Sequence, residues 1–84
     1  MSKVKITEKA REIYWATTHQ GEVEIEGRRI QYRYGEDSNG NSLYIYDDGV
    51  WTEKDPDKDP AYAIIYDMCT ETHPSDFEEG DIIE

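Results

Sequence analysis

Between residues 22 and 53 the chain alternates apolar and polar side chains, and this pattern constrains the fold more than any other feature. Residues 22–26 and 30–34 both have period two, which is typical of strands with one buried face. Glycine-containing turn signals interrupt the alternation at Gly27-Arg28, Asn39-Gly40 and Asp48-Gly49. We therefore predict an antiparallel meander of three strands, with a fourth short strand over residues 50–53.

The turn signals also predict how the strands pair. A type II′ turn at Gly27-Arg28 sets Ile25 opposite Ile30, whereas a turn at Glu26-Gly27 sets Ile25 opposite Arg28, which the apolar pattern disfavours. The other two turns pair Tyr34 with Ile45 and Tyr46 with Trp51. One sheet face then carries Val23, Ile25, Ile30, Tyr32, Tyr34, Leu43 and Ile45, and the other carries Arg29, Gln31, Arg33, Tyr44, Tyr46 and Trp51.

A helix is predicted on each side of the meander. Over residues 6–19, Thr7 is the expected N-cap, Gly21 is the expected stop, and the apolar positions Ala10, Ile13, Tyr14 and Thr17 recur at helical spacing. Trp15 lies off that stripe. A second helix begins at Asp59-Pro60, a suitable N-cap and first-turn pair, and ends before His73-Pro74. Its apolar stripe is Ala61, Ile64, Ile65 and Met68.

The expected fold class is therefore α+β: a small single domain in which N-terminal and C-terminal helices flank a three- or four-stranded antiparallel meander. The two helices either cover one sheet face, leaving the aromatic face open, or lie on opposite faces. We expect a compact domain over residues 1–74 and an acidic C-terminal tail over residues 75–84. Only 14 of the 84 residues are Leu, Ile, Val or Phe, so seven Tyr and two Trp must supply much of the core.

The charge is distributed unevenly along the chain. The net charge is −11, but residues 1–34 carry +2 and residues 35–84 carry −13. This excess of acid argues against direct binding to nucleic acid, whose affinity depends on Lys and Arg. It favours a basic protein partner. The acidic residues expected to meet such a partner are Asp37, Asp47, Asp48, Asp55, Asp57, Asp59, Asp76, Glu78, Glu79 and Asp81.

Several motifs imitate catalytic or metal sites without completing them. The spacing of Asp55, Asp57 and Asp59 resembles the start of a calcium loop, but the glycine and the acid that such loops need at positions 6 and 12 are missing. Residues 37–41 imitate the same opening and read better as a turn. Cys69 and His73 stand one helical turn apart without a third catalytic group. We expect no catalytic residues, no metal and no cofactor.

Glu22, Glu24 and Glu26 alternate along one strand, which is a pattern that acid–base catalysis can use. Cross-strand pairing explains them more simply, since the predicted register sets Glu26 opposite Arg29 and Glu22 opposite Arg33. A second candidate surface is the cluster of Arg33, Tyr44, Tyr46 and Trp51, because these residue types are enriched at protein-binding hot spots. The same cluster would also suit a small second core.

From these features we expect a non-enzymatic inhibitor that occludes a basic, nucleic-acid-binding surface of another protein. Its most concrete form is a phage-type anti-CRISPR or anti-restriction DNA mimic, whose carboxylates replace phosphates. The alternative is a small adaptor or homodimer that uses the Tyr/Trp/Arg face. A single cysteine, no signal-peptide run and no apolar stretch of membrane-spanning length lead us to expect a cytoplasmic protein, or one of the host cytoplasm if phage-encoded.

Overall fold

The computed structural model describes residues 3–13 and 17–83. This part of the chain forms a six-stranded antiparallel sheet with one α-helix packed on one face. The strands are β1 (Val4–Glu12), β2 (Thr18–Ile25), β3 (Arg28–Asp37), β4 (Gly40–Asp47), β5 (Val50–Thr52) and β6 (Ile82–Ile83). They lie in the order β5-β4-β3-β2-β1-β6. The helix α1 spans Pro60–Glu71 and is followed by a short 3-10 turn at Pro74–Asp76.

The predicted N-terminal helix over residues 6–19 is wrong, because this region forms β1 and the start of β2. Val4 pairs with Ile25 and Ile6 with Val23, and the Ile13 amide donates to the Thr18 carbonyl oxygen at 3.0 Å. Tyr14 and Trp15, which the helix prediction included, lie outside the described residues. A sheet of six strands and one helix thus replaces the expected short meander between two helices.

Two β-bulges explain why this strand resembles a helix in sequence. The β1–β2 register shifts once between Ile6 and Glu8 and again between Glu8 and Arg11. Each bulge inserts one extra residue and resets which face a side chain occupies. Buried positions therefore fall at Val4, Ile6 and Ala10 rather than at every second residue, and the spacing of four between the last two mimics a helical turn.

Two of the three predicted hairpin registers are wrong by two residues. The β2–β3 turn lies at Glu26-Gly27, with φ angles of 53° and 78°, so Ile25 pairs with Arg28 and Val23 with Ile30. Positive φ at both turn residues is the type I′ geometry, whose twist matches the strands. The β3–β4 turn lies at Ser38-Asn39 rather than Asn39-Gly40, which pairs Tyr34 with Leu43.

The sheet faces are nevertheless the ones that the sequence predicted, because a shift of two residues keeps every side chain on its original side. The covered face carries the predicted apolar set, all of it buried. The third turn, at Asp48-Gly49, is confirmed and pairs Tyr46 with Trp51. The opposite face, which we call the open face, is covered by no helix or strand of the described chain.

The C-terminal helix is confirmed. Asp59 is its N-cap, with a carboxylate oxygen that accepts from the Tyr62 amide at 3.1 Å, and Pro60 is its first residue. Its buried residues pack on the covered face: Tyr62, Ile65, Met68 and Cys69. No described helix, α1 with its 12 residues included, is long and apolar enough to cross a membrane.

Residues 75–83 run back along the β1 edge of the sheet. Phe77 is buried, and Ile83 pairs with Val4 in β6. The Lys9 ammonium group donates to the Ser75 and Phe77 carbonyl oxygens at 3.3 and 3.0 Å and forms a 3.1 Å ion pair with Glu78. This segment thereby covers part of an edge that would otherwise expose unpaired backbone groups.

A substitution at Gly21 tests how tightly the covered face is packed. A Cβ atom at this position would lie 2.7 Å from the Tyr32 hydroxyl oxygen and 2.9 Å from the adjacent ring carbon. Since Tyr32 is itself buried, the ring has little room to move. We expect Gly21→Ala to lower the free energy of unfolding by about 1–3 kcal/mol in chemical denaturation.

The matched control is Gly35→Ala on the neighbouring strand. There the added Cβ would meet the Thr18 hydroxyl oxygen at 3.2 Å, which is a milder contact with a small side chain. This variant should stay within about 1 kcal/mol of the wild-type protein. Equal losses of unfolding free energy in the two variants would contradict the packing of Tyr32 over Gly21.

Candidate functional site

The open face brings together the four aromatic and arginine residues that the sequence singled out, which we call the aromatic cluster: Arg33, Tyr44, Tyr46 and Trp51. Arg33 pairs with Tyr44 across β3 and β4, and Tyr46 pairs with Trp51 across β4 and β5. Because directly opposed residues of antiparallel strands point to the same side, all four side chains project from this face. Three adjacent strands therefore build one surface.

Contacts within the aromatic cluster fix its geometry. The Arg33 guanidinium carbon lies 4.1 Å from the centroid of the Trp51 ring, and the Arg33 Nε donates to the Gln20 side-chain oxygen at 3.0 Å. The Tyr46 and Trp51 rings meet edge to face, with centroids 5.2 Å apart at 61°. A cation–π contact at an exposed site contributes about 0.5–1 kcal/mol. These contacts hold the cluster in one arrangement before any partner binds.

Much of the cluster is exposed despite its apolar character. Tyr44 and Tyr46 are 38% and 47% exposed. Thr18, Arg33, Tyr44 and Trp51 line a shallow depression of about 270 Å³. A second depression of about 200 Å³ adjoins it and includes Glu36 and Asp37 in its wall. Asp37 alternates in phase with Arg33 along β3, so a carboxylate borders the aromatic cluster on this side.

The rest of the open face is polar, and Glu22 and Glu24 of β2 both have side-chain partners there. Glu24 lies 4.0 Å from the Arg29 Nε, and the Glu22 carboxylate accepts from the Thr7 hydroxyl group at 2.8 Å. Pairing of this glutamate row with Arg29 is confirmed, although the partner is Glu24 rather than the predicted Glu26. Arg33 lies opposite Gln20 instead of the predicted Glu22. The glutamate row therefore has ordinary cross-strand and side-chain partners.

The predicted acidic residues lie in four separate places. Asp37 is the last residue of β3, opposite Gly40 at the start of β4, whereas Asp47 ends β4 and Asp48 follows it in the next turn. Asp55, Asp57 and Asp59 belong to the connection between β5 and α1. The last group lies beside β1 and β6, at the opposite edge of the sheet from β5: Asp76, Glu78, Glu79 and Asp81.

Several of these carboxylates have local structural partners. Asp37 and Asp55 accept from the backbone amides two residues further on, at 2.8 and 2.9 Å, as turn-forming aspartates do. Asp81 accepts from the Glu78 amide at 2.9 Å. Within the described residues, no group of three or more His, Cys, Asp or Glu side chains is arranged to hold a metal ion.

Asp47 differs from the other acids because a lysine lies against it. Its carboxylate is 2.7 Å from the Lys54 ammonium group. The hydrogen bond and charge of Lys54 lower the pKa of Asp47, and the same contact raises the pKa of Lys54. The charge of Asp47 is therefore already paired with the charge of Lys54 on the protein surface. The neighbouring Asp48 occupies a turn position with a φ of 51°.

The cysteine and histidine that stood one helical turn apart in sequence occupy different environments. Cys69 is buried against the sheet, and burial raises the pKa of its thiol to about 12. His73 is half-buried and contacts Ser75, Glu36 and His19. The thiolate, which is the reactive form of cysteine, is therefore disfavoured at this position.

His19 is the buried polar residue that the sequence analysis missed. It was assigned to the end of a helix, but it lies in β2 with 5% of its surface exposed. The alternation of Val23 and Ile25 continues backwards through Gly21 to His19, and all four residues are buried. Extending the period-two pattern upstream of residue 22 would have found it.

No family model, curated protein or solved structure matches the chain in comparisons with known proteins. The fold and the open face define a small α+β protein with a preformed aromatic surface. Its function is therefore inferred from this geometry and from the charge of the chain.

The burial of Cys69 predicts that the folded protein resists thiol modification. At about pH 8, raising the thiol pKa from 9.0 to about 12 lowers its thiolate fraction by roughly a thousandfold. Ellman's reagent should therefore label the native protein far more slowly than the same protein in denaturant, with that denatured sample as the control. Labelling of the native protein at the denatured rate would show that Cys69 is accessible and activated.

Proposed function

We propose that this protein is a non-catalytic binding module that docks its open face onto a basic surface of another protein. The observation that carries the proposal is the preformed and exposed aromatic cluster, with Arg33 stacked on Trp51 at 4.1 Å. Tyr, Trp and Arg dominate protein-binding hot spots because they bury large areas and keep polar groups for orientation. A cluster that is already ordered loses less conformational entropy on binding.

The charge of the chain supports a basic partner. Residues 35–84 carry −13, and acids lie at both ends of β4, the strand that bears Tyr44 and Tyr46. A partner with Lys and Arg around an apolar centre would match this arrangement. Charges at the rim of an interface chiefly raise the association rate, whereas the buried centre controls dissociation.

Proteins that handle nucleic acid present such basic surfaces, because they bind phosphates with Lys and Arg. We therefore propose that the partner is a nuclease of the CRISPR or restriction class and that docking blocks its nucleic-acid channel. The single Cys69 and the lack of any intrachain disulfide support action in a reducing cytoplasm. The aromatic cluster would anchor the complex, Asp37 would border it, and the remaining acids would steer association through the net negative charge.

A homodimer through the same face is the second candidate. The depression lined by Thr18, Arg33, Tyr44 and Trp51, with exposed Tyr46 beside it, favours this candidate. Light scattering over a range of protein concentrations distinguishes the homodimer from the partner complex. Self-association that Trp51→Ala abolishes would support the homodimer and contradict the proposed partner.

The binding test uses a purified CRISPR effector complex and a purified restriction endonuclease as probes, with the full chain immobilised for interferometry. We expect Trp51→Ala to weaken binding by about 30-fold, as loss of a hot-spot residue costs about 2 kcal/mol. The matched control is Ile82→Ala, because Ile82 is 61% exposed and lies at the far edge of the sheet. Circular dichroism would verify that both variants fold.

The salt dependence of binding, measured in the same assay, tests whether the acidic residues contribute to association. Between about 50 and 300 mM salt, affinity should fall steeply, mainly through a slower association rate. Asp37→Asn should reduce this salt dependence and leave the dissociation rate nearly unchanged. Binding that is insensitive to salt, equal affinity of the Trp51 and Ile82 variants, or no binding to either probe would contradict the proposal. Tight binding of the protein to DNA itself would also contradict it.

A further inference from the structure

His19 and His73 meet on the covered side of the sheet, away from the aromatic cluster. His19 lies in β2 and His73 lies between α1 and the 3-10 turn. Their ring centroids are 4.7 Å apart and the rings are nearly perpendicular, at 88°. His19 is 5% exposed, and its Nδ1 atom has no hydrogen-bond partner among the described residues. An unsatisfied buried polar atom in a folded protein requires an explanation.

His73 has a structural role that depends on its neutral form. Its Nδ1 accepts from the Ser75 backbone amide at 3.2 Å and lies 2.7 Å from the Ser75 hydroxyl oxygen. The ring thereby caps the 3-10 turn at Pro74–Asp76. The hydrogen-bond pattern assigns the proton to Nε2, which lies 3.6 Å from a Glu36 carboxylate oxygen. His73 therefore joins the chain after α1 to both β2 and β3.

The charged and titratable groups that face His19 come from three elements. They are His73 after α1, Glu12 on β1 and Glu36 on β3. Burial and the neighbouring His73 lower the pKa of His19, and the two carboxylates partly oppose that change. A proton on the His19 ring would thus be a poorly solvated charge beside a second imidazole.

We propose that the contact between His19 and His73 is an acid-sensitive latch that holds residues 72–77 on the sheet and releases them when His19 is protonated. Protonation of His19 places a charge in a buried site that lacks a hydrogen-bond acceptor for Nδ1. Pro74 and Phe77, which are buried in the docked state, lose their cover.

The direction of the pH effect follows from the lowered pKa of His19. The unfolded or undocked chain binds the proton more readily than the docked state, so the latch is fully effective above about pH 6.5 and weakens as the pH falls below that value. Protonation of carboxylates raises the stability instead, because it relieves repulsion in a chain of net charge −11. A loss of stability in mildly acidic solution therefore reports on the histidines.

The test follows the full chain by two-dimensional ¹H–¹⁵N NMR between about pH 7.5 and 5.5, with the long-range imidazole signals recorded in the same samples. We expect the backbone amides of Ser75, Asp76 and Phe77 to shift or broaden with the same midpoint as imidazole protonation. The unfolding equilibrium constant from denaturant titrations should rise by as much as about tenfold for each pH unit below about 6.5.

Two variants separate the latch from general acid sensitivity, and they cover both histidines of the chain. His19→Phe keeps a buried ring but cannot be protonated, so its stability should be nearly flat across this pH range. His73→Asn retains a side-chain acceptor for the Ser75 amide but removes the ring beside His19, so it should reduce the pH response without abolishing it. Asp57→Asn, a change of one exposed charge in the loop before α1, is the control and should respond as the wild-type protein does.

Two outcomes would overturn the latch. One is an equal loss of stability with falling pH in the wild-type protein and in His19→Phe. The other is imidazole titration in the wild-type protein without any change at the Ser75–Phe77 amides, a result that stands even if the variants fail to fold. Neither outcome bears on partner binding, because the latch lies on the covered side and the proposed docking surface is the open face.

Discussion

The packing of α1 against one side of the sheet is the interaction on which the rest of the structure depends. One helix of 12 residues is available to cover a sheet of six strands in the described chain, and it covers a single face. Ile65 is completely buried there, among apolar side chains from β2, β3 and β4. The opposite face must therefore be compatible with water, and its polar side chains, with the cross-strand ion pair of Glu24 and Arg29, meet that requirement. The aromatic cluster is the exception.

Tyrosine makes this packing feasible in a chain with few aliphatic residues. Tyr62 buries its ring under the helix and donates its hydroxyl proton to the Leu43 carbonyl oxygen at 2.7 Å. Asn41 links the sheet to the helix, since its amide donates to the Tyr34 hydroxyl oxygen at 2.9 Å and its carbonyl accepts from Tyr66 at 2.9 Å. Each ring contributes apolar area to the core while its hydroxyl group keeps a partner. Burial accordingly raises the pKa values of Tyr34 and Tyr62.

The parts of the fold that the sequence predicted are those with uninterrupted local signals. Asp59-Pro60 specified the start of α1, and strict alternation in β3 and β4 specified which side chains share a face. The two bulges in β1 could not be foreseen, because they depend on pairing with β2 and break the period that identifies a strand. The β2–β3 register was missed by two residues because Glu26 adopts a positive φ that is uncommon for glutamate. The β3–β4 register was missed because the turn is Ser38-Asn39 and Gly40 is already the first residue of β4.

The candidate site was predictable to a similar extent. Alternation placed Arg33, Tyr44, Tyr46 and Trp51 on one face, but the stacking of Arg33 on Trp51 depends on cross-strand geometry. The topology of the sheet separates the acids into four places, and no local sequence pattern encodes that separation. His19 was missed because the strand that contains it was assigned to a helix.

Hydroxyl-radical footprinting with mass spectrometry tests whether the sheet has one covered and one open face. We predict that Tyr44, Tyr46 and Trp51 are oxidised several-fold faster than Tyr32, Tyr34 and Tyr62 in the isolated protein at low concentration. Similar oxidation rates for the two sets of rings, or protection of Tyr44, Tyr46 and Trp51, would contradict it.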